Sequence, residues 1–205
     1  MITNRQLPGE FLKRLSDLET SYLAEDDPIR QSGFGGGSQR WRAEREPILE
    51  AVDHGGDFLD VGCANGYLLE CLAAWGRERG YSLTPFGLDW SGKLVELAKR
   101  RFPRLYKNFY VGNAWEWKPE RTFTFVYTLY DCVPEDYLEE YIQRLLCRVV
   151  SPGGRLIIGA YGSRTGNIPT FDLSAYLMSI GFREISSSNS GDPPIATFTW
   201  IDNSG

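Results

Sequence analysis

The stretch FLDVGCANGYLLE, residues 58–70, restricts the fold more than any other part of the chain. An apolar run, broken only by Asp60, enters a bend of small residues, Gly62, Ala64 and Gly66, and a helical pattern follows. A short apolar run bounded by turn signals reads as a buried strand. Small residues let the backbone pass close to a ligand, and the helix that follows offers free N–H groups at its start. In open α/β sheets, ligands sit beyond the carboxyl ends of the strands. Functional residues are therefore expected just after each strand.

The same alternation continues downstream. Strand patterns at 83–88, 105–111, 123–129 and 155–160 are separated by helical patterns at 67–79, 91–102 and 134–149. Ser91 is placed to cap its helix and Pro103 to stop it. In the helix opened by Pro134, Glu135, Asp136, Glu139 and Glu140 come first and Arg144 and Arg148 last, as the helix dipole favours. SPGG then turns the chain into the fifth strand. A helix at 171–180 precedes two strands, 182–186 and 195–201, joined only by a polar loop and so expected to pair antiparallel. The pattern predicts an α/β fold, a three-layer α-β-α sandwich. Its sheet is seven-stranded and mostly parallel, with the last strand antiparallel.

The first 50 residues read differently. Phe11, Leu15, Leu18 and Tyr22 recur at helical spacing, and Asp27-Pro28 ends that helix. QSGFGGGSQRW reads as a flexible glycine loop. Pro47 permits a new helix, with Ile48, Leu49 and Val52 facing inward. This divides the chain into a helical lid or cap, 1–50, and a single ligand-binding unit, 51–205. Arg40, Trp41 and Arg42 either cover a ligand from the lid or belong to a linker between packing helices.

Composition narrows the function. A formal charge of -5 disfavours a nucleic-acid partner. No charged-then-apolar leader opens the sequence, and no apolar run approaches membrane-spanning length, so a soluble, cytoplasmic protein without a membrane partner is expected. Cys63, Cys71, Cys132 and Cys147 lack CxxC spacing and His54 is the single histidine, which disfavours a metal site. The oligomeric expectation is monomer or homodimer. The bend D-V-G-C-A-N-G departs from the dinucleotide pattern G-x-G-x-x-G. Asp60 would repel a pyrophosphate and suits a ligand bearing an ammonium group.

LDVGCANGYLLE resembles motif I of the class I S-adenosylmethionine-dependent methyltransferases, usually D/E-x-G-x-G-x-G, with Ala64 in place of the middle glycine. FGLDWS is similar to that family's second-strand end, and GNAWEW to its adenine-facing stretch, with Asn113 where Asp is commoner. TLYDCVPEDYLEEYIQRLLCRVVSPGGRLII and DLSAYLMSIGF resemble the fourth-strand region and the penultimate helix.

The resemblance implies S-adenosyl-L-methionine as cofactor, S-adenosyl-L-homocysteine as product and a small-molecule methyl acceptor. Transfer would be an in-line displacement promoted mainly by positioning. The implied cofactor site takes Asp60, Gly62, Cys63, Ala64, Asn65 and Gly66 from the bend. Asp89 would accept from ribose hydroxyls, and Asn113 would face the adenine edge beside Ala114. Trp90 and Trp115 would flank the ring, with Leu129 and Trp41 completing the site. Either tryptophan reads equally well as core.

Asp131, Tyr130 and Tyr161 are the catalytic candidates. Asp131 reads either as a base or as a cap for the helix at Pro134. Alternatives are an RNA or protein methyltransferase, a non-catalytic cofactor-binding protein, and a nicotinamide-dependent oxidoreductase. The last lacks its glycine pattern and a Tyr-x-x-x-Lys pair. No N-P-P-Y stretch follows the fourth strand, which disfavours the adenine- and glutamine-amide-methylating types.

Overall fold

The computed structural model describes residues 5–163, 166 and 168–204. Seven strands form one sheet: β1 (Gly56–Val61), β2 (Leu83–Asp89), β3 (Phe109–Val111), β4 (Phe123–Leu129), β5 (Val150–Tyr161), β6 (Ser186–Ser190) and β7 (Ala196–Asp202). Their order is β3-β2-β1-β4-β5-β7-β6. The first five run parallel, and β7 is antiparallel to both β5 and β6. The winding reverses between β1 and β4, and in such sheets that reversal opens a crevice at the carboxyl ends.

Adjacent residues of each strand face opposite layers. Leu59, Val126 and Ile158 pack against Leu138, Ile142 and Leu145 of α5 (Leu138–Arg148) and Leu173 and Leu177 of α6 (Leu173–Ser179). Phe58, Phe125 and Ile157 face the other way. There they meet Leu69 and Leu72 of α3 (Tyr67–Glu78) and Val95 and Ala98 of α4 (Gly92–Arg101). Ser91 Oγ accepts from Leu94 N at 3.1 Å and caps α4.

Several boundaries differ from the sequence expectation. The strand predicted at 105–111 shortens to β3 because Tyr106–Asn108 form a 3-10 turn. β5 begins at Val150, since the SPGG segment stays in the sheet and shifts its register between Phe123 and Phe125. β6 begins only at Ser186, the last residue of the predicted 182–186, because Phe182 N bonds back to Leu177 O and completes the end of α6. Pro47 opens a 3-10 turn, Glu46–Ala51, rather than an α-helix.

The first 50 residues serve two places. α1 (Gly9–Leu23) lies over the carboxyl ends of the strands and α2 (Ser38–Arg45) packs into the α3 layer. The glycine loop is not free chain. Ser38–Trp41 already belong to α2, and Phe34 is buried with its ring 5.6 Å from that of Trp41. Gly33, at φ +77°, has no Cβ where Tyr22 packs; one built there would lie 2.3 Å from the Tyr22 hydroxyl. Among the described residues no helix is long and apolar enough to cross a membrane.

Asn65 fastens this segment to the bend after β1. Its Nδ2 donates to Pro28 O and Gln31 Oε1, both at 3.0 Å, while its Oδ1 accepts from Tyr67 N at 3.0 Å. The side chain is fully buried, so its removal strands donors and acceptors away from water. Asn65→Ala is expected to lower stability by about 1–3 kcal/mol in urea unfolding, with greater proteolysis around residues 28–32.

Candidate functional site

A cleft of about 860 Å³, its open mouth included, lies where the strand ends meet α1. Four strand ends build one wall: Gly62 and Ala64 after β1, Asp89–Ser91 after β2, Gly112–Ala114 after β3 and Leu129, Asp131 and Cys132 after β4. α1 supplies the opposite wall through Arg14, Leu15, Leu18, Glu19 and Tyr22.

The bend after β1 is shaped by backbone geometry. Gly62 and Gly66 have φ +94° and +73°, and Ala64 has φ +45°. Glycine reaches that left-handed region most cheaply, which explains why the resembling motif places one at the Ala64 position. Asp89 ties the bend to the second strand. Its Oδ2 accepts from Ala64 N and its Oδ1 from Ser91 N, each at 2.8 Å. A carboxylate has about four acceptor sites, so both oxygens retain capacity for a ligand. Asn113 Oδ1 accepts from Trp115 N at 2.8 Å, an Asx turn that leaves its amide nitrogen as donor. Trp90, 41% exposed, offers a flat apolar surface on the cleft wall.

Two contacts hold α1 across the opening. Ser91 Oγ donates to Glu19 Oε1 at 2.7 Å, and Arg14 Nη2 donates to the Asp131 carbonyl at 2.8 Å. Arg14 lies 3.8 Å from the Asp131 carboxylate. Glu19, Asp89 and Asp131 against Arg14 make the lining acidic on balance. Burial raises the carboxyl of Asp89 above the ordinary range, and desolvation by the cleft walls raises that of Asp131, whose side chain is half exposed. At Asp89 the bonds from Ser91 and Ala64 oppose that shift, and at Asp131 the Arg14 charge does.

The structure brings together Gly62, Ala64, Asp89, Trp90, Asn113, Ala114, Leu129 and Asp131. It places other candidate residues elsewhere. Trp115 is 2% exposed, donates from Nε1 to Arg5 O at 2.7 Å and meets Tyr137 edge to face, so it belongs to the core rather than the cleft wall. Trp41 is buried in the α3 layer, with Nε1 donating to Cys71 Sγ at 3.3 Å. Tyr130 stacks on Phe171, rings 4.6 Å apart. Tyr161 shares a 2.9 Å hydroxyl contact with Tyr127. Cys63 is packed against Gly87, Asn65 is engaged with residues 28–31, and Gly66 starts α3. Arg40 and Arg42 pair with Glu44 and Glu46 instead of facing the cleft.

Sequence reasoning did not single out Arg14 and Glu19 as cleft residues. The spacing from Phe11 to Tyr22 showed a helix with an apolar stripe, but a stripe does not identify the neighbour it covers.

Residues 58–154 match the family model described as a methyltransferase domain. Solved structures share the fold. A DhpI–SAH complex is 17% identical with a TM-score of 0.65, covering 94% of this chain and 96% of that one. A SAM dependent methyltransferase from Aquifex aeolicus is 19% identical with a TM-score of 0.57, covering 92% and 97%. The Haemonchus contortus phosphoethanolamine N-methyltransferase 1, in complex with phosphoethanolamine and S-adenosylhomocysteine, is 14% identical with a TM-score of 0.70, covering 96% of this chain and 50% of that one. No curated protein sequence matches the chain.

Asp60 stands behind the bend at 2% exposure. Burial, and then the charge of Asp89, push its carboxyl from an ordinary 3.8 up to about 8. Below about pH 4 the folded and unfolded chains both carry this proton; from there to about 8 only the folded chain keeps it. Its contribution to stability is therefore lost as pH rises through that window, by about 1.4 kcal/mol per unit crossed. Asp60→Asn is expected to match the parent's thermal stability near pH 4 and to exceed it increasingly toward pH 8. A constant difference in melting temperature across that range would contradict this.

Proposed function

We propose that this chain is a class I S-adenosylmethionine-dependent methyltransferase that binds S-adenosylmethionine in the cleft under α1 and methylates a small-molecule acceptor. The observation that carries the reading is the paired use of Asp89. Two backbone N–H groups hold its carboxylate rigidly at the end of β2, aimed along the same cleft as the glycine-bend backbone. The residues present fit the cofactor. The raised carboxyl of Asp60 is a buried acid suited to an ammonium, which would restore its ionised form. Asp89 suits the ribose hydroxyls, the Asn113 amide the adenine edge, and Trp90 with Leu88 and Leu94 the apolar faces of the ring.

When bound, S-adenosylmethionine supplies a methyl group activated on a sulfonium sulfur. The chain's part is to orient and to exclude water. Leu15, Leu18 and Tyr22 close the cleft from above, and Arg14 and Glu19 fix α1 to the strand ends. Such positioning supplies roughly 7–11 kcal/mol of barrier reduction in well-oriented systems. Asp131, half exposed on the cleft wall with its carboxyl raised by desolvation there, is suited to take a proton from an acceptor hydroxyl or ammonium. A small acceptor is supported by the cover that α1 places over the cleft, by its acidic lining and by the phosphoethanolamine bound in one fold relative.

Calorimetric titration with S-adenosylmethionine and with NAD tests the cofactor. Binding of the first is expected, and Asp89→Ala should weaken it about 100-fold, the worth of two hydrogen bonds to a charged group. Tight NAD binding with no response to S-adenosylmethionine would reject the reading. In a labelled-methyl assay over a metabolite panel, Asp131→Asn should lower turnover by roughly 10²-fold or more with cofactor affinity unchanged.

A further inference from the structure

Arg45, the last residue of α2, is a buried cation with an incomplete set of partners. It is 7% exposed, and among the described residues its Nη1 has no hydrogen-bond partner. Aromatic rings surround it instead: its guanidinium carbon lies 4.0 Å from the centroid of Tyr161, 4.5 Å from Phe34 and 4.8 Å from Trp41. These faces attract the charge and fix the plane of the group, but ring faces give its N–H groups no acceptor of ordinary strength. The neighbouring Glu44 carboxylate forms an ion pair with it, Oε2 3.6 Å from Nη1 and so beyond hydrogen-bond length, while Glu44 Oε1 accepts from Arg40 Nε and Nη2. A buried donor left unpaired is costly, so such a group is expected to meet a partner in its working state.

The surroundings say what kind of partner. A guanidinium presents a planar fork of donors matched to carboxylate and phosphate oxygens. Beside it, the Tyr161 and Tyr127 hydroxyls lie 2.9 Å apart. One proton makes that bond, which leaves the other phenol proton to donate onward.

The position within the sheet says which ligand. Tyr161 ends β5, and Tyr127 on β4 stands in register with Asp60 on β1. Neighbouring strands are about 4.8 Å apart, so Tyr161 is about 10 Å from β1, on the side away from Asp89 of β2. A cofactor lying between Asp89 and Asp60 leaves the β4–β5 corner to the second reactant.

We infer that Arg45, with a tyrosine hydroxyl of the Tyr127–Tyr161 pair, binds the carboxylate or phosphate end of an anionic methyl acceptor. The inference rests on the proposed reading of the cleft as the cofactor site. It specifies the acceptor as a molecule with an oxyanion at one end and a methylatable group directed toward β1.

Calorimetry on the full chain saturated with S-adenosylhomocysteine tests this, with inorganic phosphate and acetate as probes. At least one probe is expected to bind wild type in the millimolar range, with tenfold or greater weakening in Arg45→Met and a smaller loss in Tyr161→Phe. S-adenosylhomocysteine affinity should stay within twofold. Where melting curves show Arg45→Met unfolded, Arg45→Lys takes its place, with the same expected direction. Absence of binding to wild type by both probes, or equal binding to the Arg45 variant, overturns the inference. A tenfold loss of S-adenosylhomocysteine affinity in the variant also overturns it, since Arg45 would then serve the cofactor's own carboxylate. Failure of wild type to bind S-adenosylhomocysteine at all would instead reject the proposed function.

Discussion

The site depends on one carboxylate bonded to two loops. Asp89 accepts from the backbone of Ala64 in the bend after β1 and of Ser91 at the start of α4. These bonds fix the end of β2 against the end of β1, and hydrogen bonds to an ionised acceptor are among the stronger ones. Ser91 extends the connection: it caps α4 and donates to Glu19 of α1. One chain of polar contacts thus runs from the bend, through Asp89 and Ser91, to the helix over the cleft. The left-handed conformation of Ala64 persists inside this frame, where its N–H is held by Asp89.

Buried acids give the site its electrical character. Asp60 and Asp89 each raise the local cost of negative charge, and burial makes the strain greater than it would be in water. A site held in this condition favours a ligand that brings positive charge. That preference is consistent with a sulfonium carrying an ammonium group, the ligand proposed here. Across the sheet the polarity changes: Arg45 sits among aromatic rings beside β5, its Nη1 3.6 Å from the Glu44 carboxylate and without a hydrogen-bond partner among the described residues. The proposed reactants therefore meet a strand-by-strand gradient from acid on β2 and β1 to cation beyond β4.

The amino-terminal segment joins these two regions. Residues 28–32 are fastened by Asn65, α1 lies over the acidic cleft, and α2 carries Arg45 into the aromatic cluster. Burial of Ile48 and Leu49, both at 1% exposure or less, makes the end of this segment part of the main core. The helix over the ligand cleft is thereby held by contacts of different kinds, polar from Glu19 to Ser91 and from Arg14 to Asp131, and apolar where Phe11 enters the core.

Local pattern alone determined the layer architecture, the strand and helix types from Gly56 to Arg148 and the bend residues. Those features follow from hydrophobic period, capping and backbone freedom, which act over a few residues. It also pointed to Asp60, Asp89, Asn113 and Asp131, because the carboxyl ends of parallel strands are where ligands bind. It did not place Trp115, Trp41 or Tyr161, since an aromatic residue satisfies core and ligand alike until its neighbours are known. Nor did it distinguish Arg14, Glu19 and Arg45 from the surface charges of ordinary helices. Only the tertiary structure decided which helix covers the cleft and which arginine is buried without a full set of partners. Those facts are set by contacts between segments far apart in the chain, as in Glu19 with Ser91 and Arg45 with Tyr161.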